Sequence, residues 1–587
     1  MSQFVNDVND CVAEALEGLA LGSFGNLVLV RDRNVILLNP VKNRNRSRVA
    51  IVCGGGSGHE PAHSSFVNHE MLSAAICGDV FASPSVGAIV DGIRTLVTNG
   101  EQSPNGVLLI IKNYTGDKIN FGMASEILSS EGILVKKLIV ADDVSLPEIR
   151  DRRGVAGTVL VYKIAGAFAS QQQSSNFDTT QQLSAVYEVA EKVSKNIHSM
   201  GCALSSCHRP DGYMIFTLPE GEMEIGVGIH GERGVLRTPV QSSDEIVAVL
   251  IDKILAAKEQ EDISSSNSMR MVLLTNNLGS VSGLEMGVVH RKAISYLEEK
   301  GYEVSRAYCG TYMTCLDMRG ISLTLLTVVD DRLLDLLDVG GTDFSRTNWK
   351  PDSGYSPSSS SIYIEASRSP DSDFDAGSSN INKTVDQEFM SIIEKVCRAG
   401  VDVRGILNSL DGECGDGDAG DTLATACTAI LDNLQYFSVN DVNLAFRRIA
   451  RRLTNAVGGT SGPLYAVFFI RAATAFSSHV NSNDWKNSTN WIDAIYKGIS
   501  GIEELGGCAR GDRTLLDGLY PVFDALKSQS PEGTIIMECL VQAAKDGAEN
   551  TRKLEARAGR ARYVEGKGVG NVDPGAFAVY MLLKALV

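Results

Sequence analysis

The sequence predicts a multidomain chain, an α/β half of two subdomains followed by an all-α helical barrel. Three observations carry this reading. Up to residue 342, short β-branched runs end in glycine-rich loops and alternate with helical patterns; residues 343–384 turn to Ser, Pro, Asp and Gly; residues 385–587 set their apolar side chains on a 3.6-residue period.

The runs of the first half are Arg48–Cys53, Val107–Ile111, Lys136–Asp143, Thr158–Gly166, Met271–Gly279 and Ile321–Val329. Continuous apolar strands closed by glycine loops indicate buried, largely parallel sheets. The length of this half suits two subdomains, divided near residues 180–200. The stretch 343–384 offers little apolar surface to offset the cost of ordering, so it reads as a flexible linker reaching roughly 35 Å as a random coil. Eight helical segments follow: Phe389–Val403, Asp421–Leu434, Val442–Val457, Leu464–Phe476, Trp491–Gly507, Arg513–Leu526, Met537–Ala556 and Gly575–Val587. Strand candidates are almost absent there, which points to an all-α bundle or barrel.

Charge and cysteine content narrow the function. With 54 Lys+Arg against 71 Asp+Glu the net charge is −17, which favours solubility and argues against phosphate-backbone recognition, so no nucleic acid is expected as partner. The longest apolar stretches, such as Ile321–Val329, are about half of a bilayer span, so no membrane is expected either. The 12 cysteines form no CxxC pair, and the first residues are acidic where a secretory signal would be basic. A reducing, cytoplasmic setting is the expectation.

Gly226-Val-Gly228-Ile-His-Gly231 matches G-x-G-x-x-G literally, but the following residues reach Pro239 without a helical pattern. No helix N-terminus is then offered to a pyrophosphate, and a dinucleotide site is not expected. Other loops carry more. Cys53-Gly-Gly-Gly-Ser57-Gly58-His59-Glu60-Pro61-Ala-His63 has more glycine than a strand-to-helix turn needs, which lets backbone N–H groups approach a small ligand; Glu60-Pro61 is expected to open a helix. Val107–Ile111 ends in Lys112-Asn113-Tyr114-Thr115-Gly116-Asp117, and loops beyond the carboxyl ends of parallel strands converge, so Asp117 is a candidate base and Lys112 a candidate donor. Either could instead be a polar turn with Asp117 capping the next helix. His230, set between glycines in Glu224–Glu232, is a third candidate, although a lone histidine there is more often structural.

In the helical half, Asp411, Asp416 and Asp418 crowd a glycine-rich turn before a helix, a hard-oxygen set suited to Mg²⁺ with bridging phosphates, while the helix starting near Thr422 offers N–H groups to phosphate. Glycine turns at 458–462 and 511–514, with Gly559-Arg560 and Asp573-Pro574-Gly575, could complete a nucleotide site.

Taken together, GGGSGHEPAH, IKNYTGD and GIHGE resemble the substrate half of the dihydroxyacetone kinase family, and LDGECGDGDAGDT, GGTSGPLY, GDRTLLDGL, GRA and DPGA resemble its nucleotide half. The likeness covers essentially the whole chain outside the linker and is nearest to the animal-type single-chain members. It implies ATP-dependent phosphorylation of dihydroxyacetone and D-glyceraldehyde, with His230 adding to the carbonyl as a hemiaminal. It implies that Gly55, Gly56, Ser57, Gly58, His59 and Lys112 hold the substrate, with Asp117 as base and His59 as acid/base. It implies Mg²⁺ on Asp411, Asp416 and Asp418, and nucleotide contacts from Ala419, Gly420, Asp421, Thr422, Thr460, Ser461, Gly506, Arg513, Thr514, Arg560, Asp573, Pro574 and Gly575. A second activity, FAD-AMP lyase (cyclising), is also implied, with Mn²⁺ or Co²⁺ in place of Mg²⁺, as is a homodimer whose nucleotide domains serve the opposite subunit. Asp421 departs from the hydroxyl residue usual after this glycine and would repel phosphate unless it turns away or joins the metal shell. A carbonyl-binding protein without catalysis is the competing class, opposed by the complete acidic loop.

Overall fold

The structure, a computed structural model, describes residues 4–40, 42, 48–98, 106–172, 178–261, 268–341, 362–367, 387–413, 417–434, 437, 442–457, 461–476, 488–529, 536–558 and 568–587. It divides into two compact units, Met1–Phe121 with Glu131–Ser369, and Pro370–Val587 with Gly122–Ser130.

The first unit is built on thirteen strands. They begin with β1 (Leu27–Val30), β2 (Val35–Leu38), β3 (Ala50–Ser57), β4 (Ala74–Val80), β5 (Val107–Lys112) and β6 (Val135–Val140). β7 (Ile197–Ala203), β8 (Glu222–Ile225), β9 (Leu236–Pro239), β10 (Arg270–Asn277), β11 (Glu303–Gly310) and β12 (Gly320–Thr327) follow, and β13 (Tyr363–Ile364) is last. One sheet has the order β13-β1-β2-β4-β3-β5-β6 and the other β11-β10-β12-β7-β8-β9.

The expected parallel sheet holds for the run β4-β3-β5-β6. Every residue of β3 and β5 is buried, so both are apolar without alternation. The second sheet corrects the expectation. Only β10 and β11 pair in parallel there, and every other neighbouring pair is antiparallel. The reason lies partly in β8 and β9, short strands joined by the glycine-rich stretch 226–235, so Gly226–Gly231 is the loop of an antiparallel hairpin, not a turn into a helix.

Thr158–Gly166, grouped above with the strand runs, is helical, within Gly157–Gln171. Residues 157–169 are all buried, and the helix touches β3 and β5 of one sheet and β7 and β12 of the other. A helix apolar on every side carries no period to betray it. The linker expectation also needs correction. Ile362–Ser367 is ordered, and Tyr363–Ile364 adds a parallel strand to β1, with Arg31 stacked on Tyr363 and paired to Glu365. Ile362, Tyr363 and Ile364 are the apolar island in a Ser/Pro-rich stretch, and the edge of β1 offers unpaired backbone to it. The rest of 342–386 lies outside the described residues.

The second unit holds nine helices among the described residues, Gln387–Asp402, Arg404–Gly412, Ala419–Leu431, Val442–Ala456, Ser461–Ala473, Ser488–Gly506, Leu516–Lys527, Met537–Asn550 and Pro574–Lys584. Arg404–Gly412 is the one not read from the sequence. Each packs on a neighbour in turn, and Pro574–Lys584 returns to Gln387–Asp402, closing the ring of a helical barrel. No described helix is long and apolar enough to cross a membrane.

Candidate active site

The three glycines after Cys53 belong to the end of β3 itself. Gly55 has φ of +144°, and a Cβ there would stand on the Lys112 ammonium, 3.2 Å from Asp117 Oδ2. Glycine is needed because the chain passes directly over the charged pair at the end of β5. Glu60-Pro61 opens no α-helix; turns and one 3₁₀ turn, Ser64–Phe66, lead toward β4. The two histidines of this segment are drawn inward instead, His59 0% and His63 2% exposed, where each finds a polar partner.

Lys112 is fully buried. Its Nζ donates to Gly54 O at 2.8 Å, contacts His63 Nε2 at 3.0 Å and lies 3.5 Å from Asp117 Oδ2. With two hydrogen bonds and the Asp117 ion pair around a fully buried ammonium, Lys112 acts here on the loop and on Asp117. A cation donates only, so His63 Nε2 accepts, which leaves its Nδ1–H for Cys53 Sγ at 3.5 Å. Burial first, then the Lys112 charge, holds His63 well below the usual imidazole range. Burial pushes the Cys53 thiol up to about 12, so it stays protonated. Asp117 sits in the first turn of helix Thr115–Ser130 and takes the hydroxyl of Ser83 on its other oxygen.

His59 comes from the β3 loop and His230 from the β8–β9 hairpin, 171 residues apart in sequence, and their Nε2 atoms meet at 3.2 Å. His59 Nδ1 faces Thr314 O at 2.9 Å and must donate to it. Burial, then the charges of His230 and Lys112, hold His59 well below the usual imidazole range, so it is neutral and its Nε2 accepts. The proton of the Nε2 pair is therefore supplied by His230. Behind His230, Glu232 takes the backbone N–H at 2.8 Å and faces Nδ1 at 3.3 Å. Burial opposes the Glu232 charge, yet the hydrogen bond and charge of His230 and then the charge of Arg153 hold its carboxyl at about 2. The His230 ring is boxed by aromatic edges, with Tyr114 at 4.4 Å and Phe81 at 5.5 Å between centroids. Such a slot can place a nitrogen nucleophile beside an acid/base partner.

In the helical unit Asp411 closes helix Arg404–Gly412 instead of sitting in an open turn. Its Oδ2 accepts from the backbone of Gly417 (3.0 Å), Asp418 (3.0 Å) and Ala419 (3.2 Å), and Asn408 Oδ1 accepts from Gly420 (2.7 Å) and Asp421 (3.1 Å). The N–H of Thr422 goes to Asp418 O at 3.0 Å. The N–H groups expected to await a phosphate are thus already satisfied by side chains and the helix itself. Asp421 turns aside and pairs with Arg404, which answers the concern about repulsion. Burial first, then the charges of Cys427, Asp573, Asp411 and Asp418, pushes the Tyr465 phenol up to about 12.

Ser461 opens its helix and Gly506 ends one. Asp517 accepts from Gly511 (2.7 Å) and Thr514 (2.9 Å), while Arg513, buried and at φ of +61°, reaches Asn571 O at 3.2 Å. Asp573 caps the last helix through Ala576 N at 2.8 Å, with Pro574 and Gly575 in its first turn. Burial raises its carboxyl to about 6 against that hydrogen bond and the charge of Arg513. Asp416, Thr460 and Arg560 lie outside the described residues. Among the described residues no three His, Cys, Asp or Glu make a metal-sized group.

Sequence reading did not single out Ser83, Thr314, Glu232 or Arg153, and quoted His63 without a role. Glu232 and His63 stood inside quoted motifs; Thr314 lies 255 residues from the His59 it orients, a pairing no local pattern signals.

A family model described as the Dak1 domain matches residues 17–342, and one described as the DAK2 domain matches residues 413–587. The chain is 35% identical over 593 residues to the triokinase/FMN cyclase of Homo sapiens, covering 100% of this chain and 98% of that one. It is 35% identical over 595 residues to the dihydroxyacetone kinase of Citrobacter freundii, covering 100% and 99%. The solved structure of the dihydroxyacetone kinase from C. freundii in complex with AMP-PNP and Mg²⁺ aligns with a TM-score of 0.51 at 32% identity, covering 100% of this chain and 99% of that one.

Proposed function

The chain belongs to the dihydroxyacetone kinase family, and from that premise we propose that it is an ATP-dependent kinase of dihydroxyacetone and D-glyceraldehyde that holds its substrate covalently on His230. The observation that carries the covalent step is the His59–His230 contact of 3.2 Å with Glu232 behind it.

The proton between the two Nε2 atoms passes to His59, which frees the His230 Nε2 lone pair. That nitrogen bonds to the carbonyl carbon, the C=O π bond opens, and the oxygen takes the proton back from His59. Charge balances, because His230 starts with a proton on each nitrogen, one on His59 and one on Glu232, and ends as an alkylated imidazolium that keeps its Nδ1–H on the carboxylate, while His59 is neutral before and after. Polyols such as glycerol have no carbonyl and are not captured. Asp117, held by Ser83 and Lys112, accepts the proton of the hydroxyl that attacks phosphorus.

The carboxylates of Asp411 and Asp418 are hard-oxygen donors and fit Mg²⁺, with Asp416 as third member of the set. When bound, the metal neutralises phosphate charge, the main demand of phosphoryl transfer. Arg404 pairs with Asp421 and offsets its charge, and Arg513, Thr514, Ser461, Gly506 and Asp573–Gly575, with the sequence-derived Thr460 and Arg560, would hold the nucleotide.

A second activity is favoured by the full-length match to the triokinase/FMN cyclase: cleavage of FAD to AMP and riboflavin cyclic 4′,5′-phosphate at the same nucleotide site, with Mn²⁺ or Co²⁺. A homodimer, each nucleotide domain serving the partner's substrate site, completes the proposal. The test is a coupled assay with ATP/Mg²⁺ and dihydroxyacetone, repeated with FAD/Mn²⁺ and no ketone. Kinase turnover is expected in the first. Folded protein inactive in both would overturn the reading.

A further inference from the structure

The geometry points to Glu232, backed by Arg153, as the positioning residue that makes His230 a nucleophile through Nε2; this rests on the hemiaminal reading above. Once the Nε2 proton has passed to His59, the imidazole attacks through Nε2 only if its remaining proton stays on Nδ1. The Glu232 carboxylate keeps the proton on Nδ1 because one oxygen faces Nδ1 at 3.3 Å while the other grips the His230 backbone N–H at 2.8 Å. Ring and backbone are thus clamped by one side chain two residues away.

Arg153 stands near that carboxylate as a charge without bonding to it. Arg153 Nε donates to Asp143 at 2.7 Å, and its Nη2 donates to Gly226 O at 2.7 Å and Ser145 Oγ at 2.8 Å, which ties the guanidinium to the base of the hairpin loop. A Cβ built on Gly228 would lie 2.7 Å from Glu232 Cδ and 2.8 Å from Arg153 Nη1, so this glycine opens the space the pair occupies. Asp143 is 1% exposed and anchors Arg153 in the interior, beside the Glu232–His230 pair. After addition, the alkylated ring bears a positive charge, and the same carboxylate faces it across Nδ1–H. Glu232 therefore stabilises the adduct more than the free ketone, and its loss shifts substrate capture before it shifts transfer.

The experiment follows [2-¹³C]dihydroxyacetone bound to the full chain by ¹³C NMR, since addition converts a ketone carbon to a tetrahedral one, alongside kcat and KM for the kinase reaction. For Glu232→Gln we expect the tetrahedral signal to vanish and KM to rise by tenfold or more, with Glu232→Asp recovering part of both. Because Glu232→Gln could unsettle the loop, thermal unfolding of both variants is compared with wild type, and Glu232→Asp alone must then show an intermediate signal and KM. A wild-type tetrahedral signal retained unchanged in Glu232→Gln, or in Glu232→Asp if the first does not fold, would overturn the inference alone. A wild-type chain without that signal would overturn the hemiaminal reading and the inference with it.

Discussion

Gly55→Ala tests whether the glycine at the end of β3 exists to seat a buried charge. The new methyl would stand on Lys112 Nζ, inside the 3.0 Å that real Cβ atoms keep, and 3.4 Å from Lys112 Cε. Nothing at the site gives easily, because the ammonium is 0% exposed and held by Gly54 O, His63 and Asp117. The backbone at φ of +144° adds about 1–3 kcal/mol of strain for a residue with a side chain. Displacing the ammonium costs about 1.5–3 kcal/mol for each charged hydrogen bond lost. One such bond and the strain together destabilise the first unit by about 2.5–6 kcal/mol. In activity the loss is larger than stability alone explains, because Asp117 loses its cationic neighbour. The assay pairs thermal unfolding with steady-state kinase kinetics below the unfolding midpoint. A roughly hundredfold or greater fall in kcat/KM with a lowered midpoint is expected. An alanine variant with wild-type kcat/KM and midpoint would show that the ammonium is not fixed by Gly55, and would refute the reasoning.

Three further outcomes follow from particular contacts. Burial holds Asp142 at about 6 against hydrogen bonds from Ser199, Val155 and Gly157, above its ordinary 3.8; folding therefore favours the protonated form, and that contribution is present below about 4 and lost as pH rises through about 6. The gap is worth about 3 kcal/mol, so denaturant unfolding of Asp142→Asn from pH 4 to 8 should show a flatter pH slope than wild type, and an unchanged slope would contradict the assignment. Arg404→Ala leaves Asp421 uncompensated and should raise KM for ATP severalfold, while Arg404→Ala with Asp421→Ala should restore it; because the pair is exposed, neither change should move stability by more than about 1 kcal/mol. Mixing a His230→Ala chain with an Asp416→Ala chain should recover part of the kinase activity if nucleotide domains serve the opposite subunit, and no recovery would refute that arrangement.

Much of this was legible in the sequence where one force dominated. β3 and β5 are buried on both faces, so their apolar runs read directly as central strands, and the Ser/Pro-rich break marked the change from sheets to helices. Legibility failed where two forces gave the same pattern. Gly157–Gln171 is apolar all round because it fills the space between two sheets, and β-branched Val159 and Val161 made it look like a strand. Arg404–Gly412 was hidden by Asn408, Ser409 and Asp411, which on their own favour turns, although Asn408 and Asp411 are helical here so that they can cap the next helix. At the site, motif residues announced themselves by glycine and charge, whereas the groups that set their protonation came from distant segments. Thr314 O fixes His59, and Arg153 supports Glu232; both depend on how the second sheet packs, which local spacing does not encode.

The central claim is that His230 captures the carbonyl substrate and that phosphoryl transfer depends on it. The most direct measurement is the coupled kinase assay of wild type and His230→Ala with dihydroxyacetone and ATP/Mg²⁺, with FAD/Mn²⁺ turnover of the same preparations as the internal control. The account predicts kinase activity lowered by roughly 10⁴-fold or more in the variant, with cyclase turnover at the wild-type level. Phosphorylation of dihydroxyacetone by His230→Ala at the wild-type rate would contradict it.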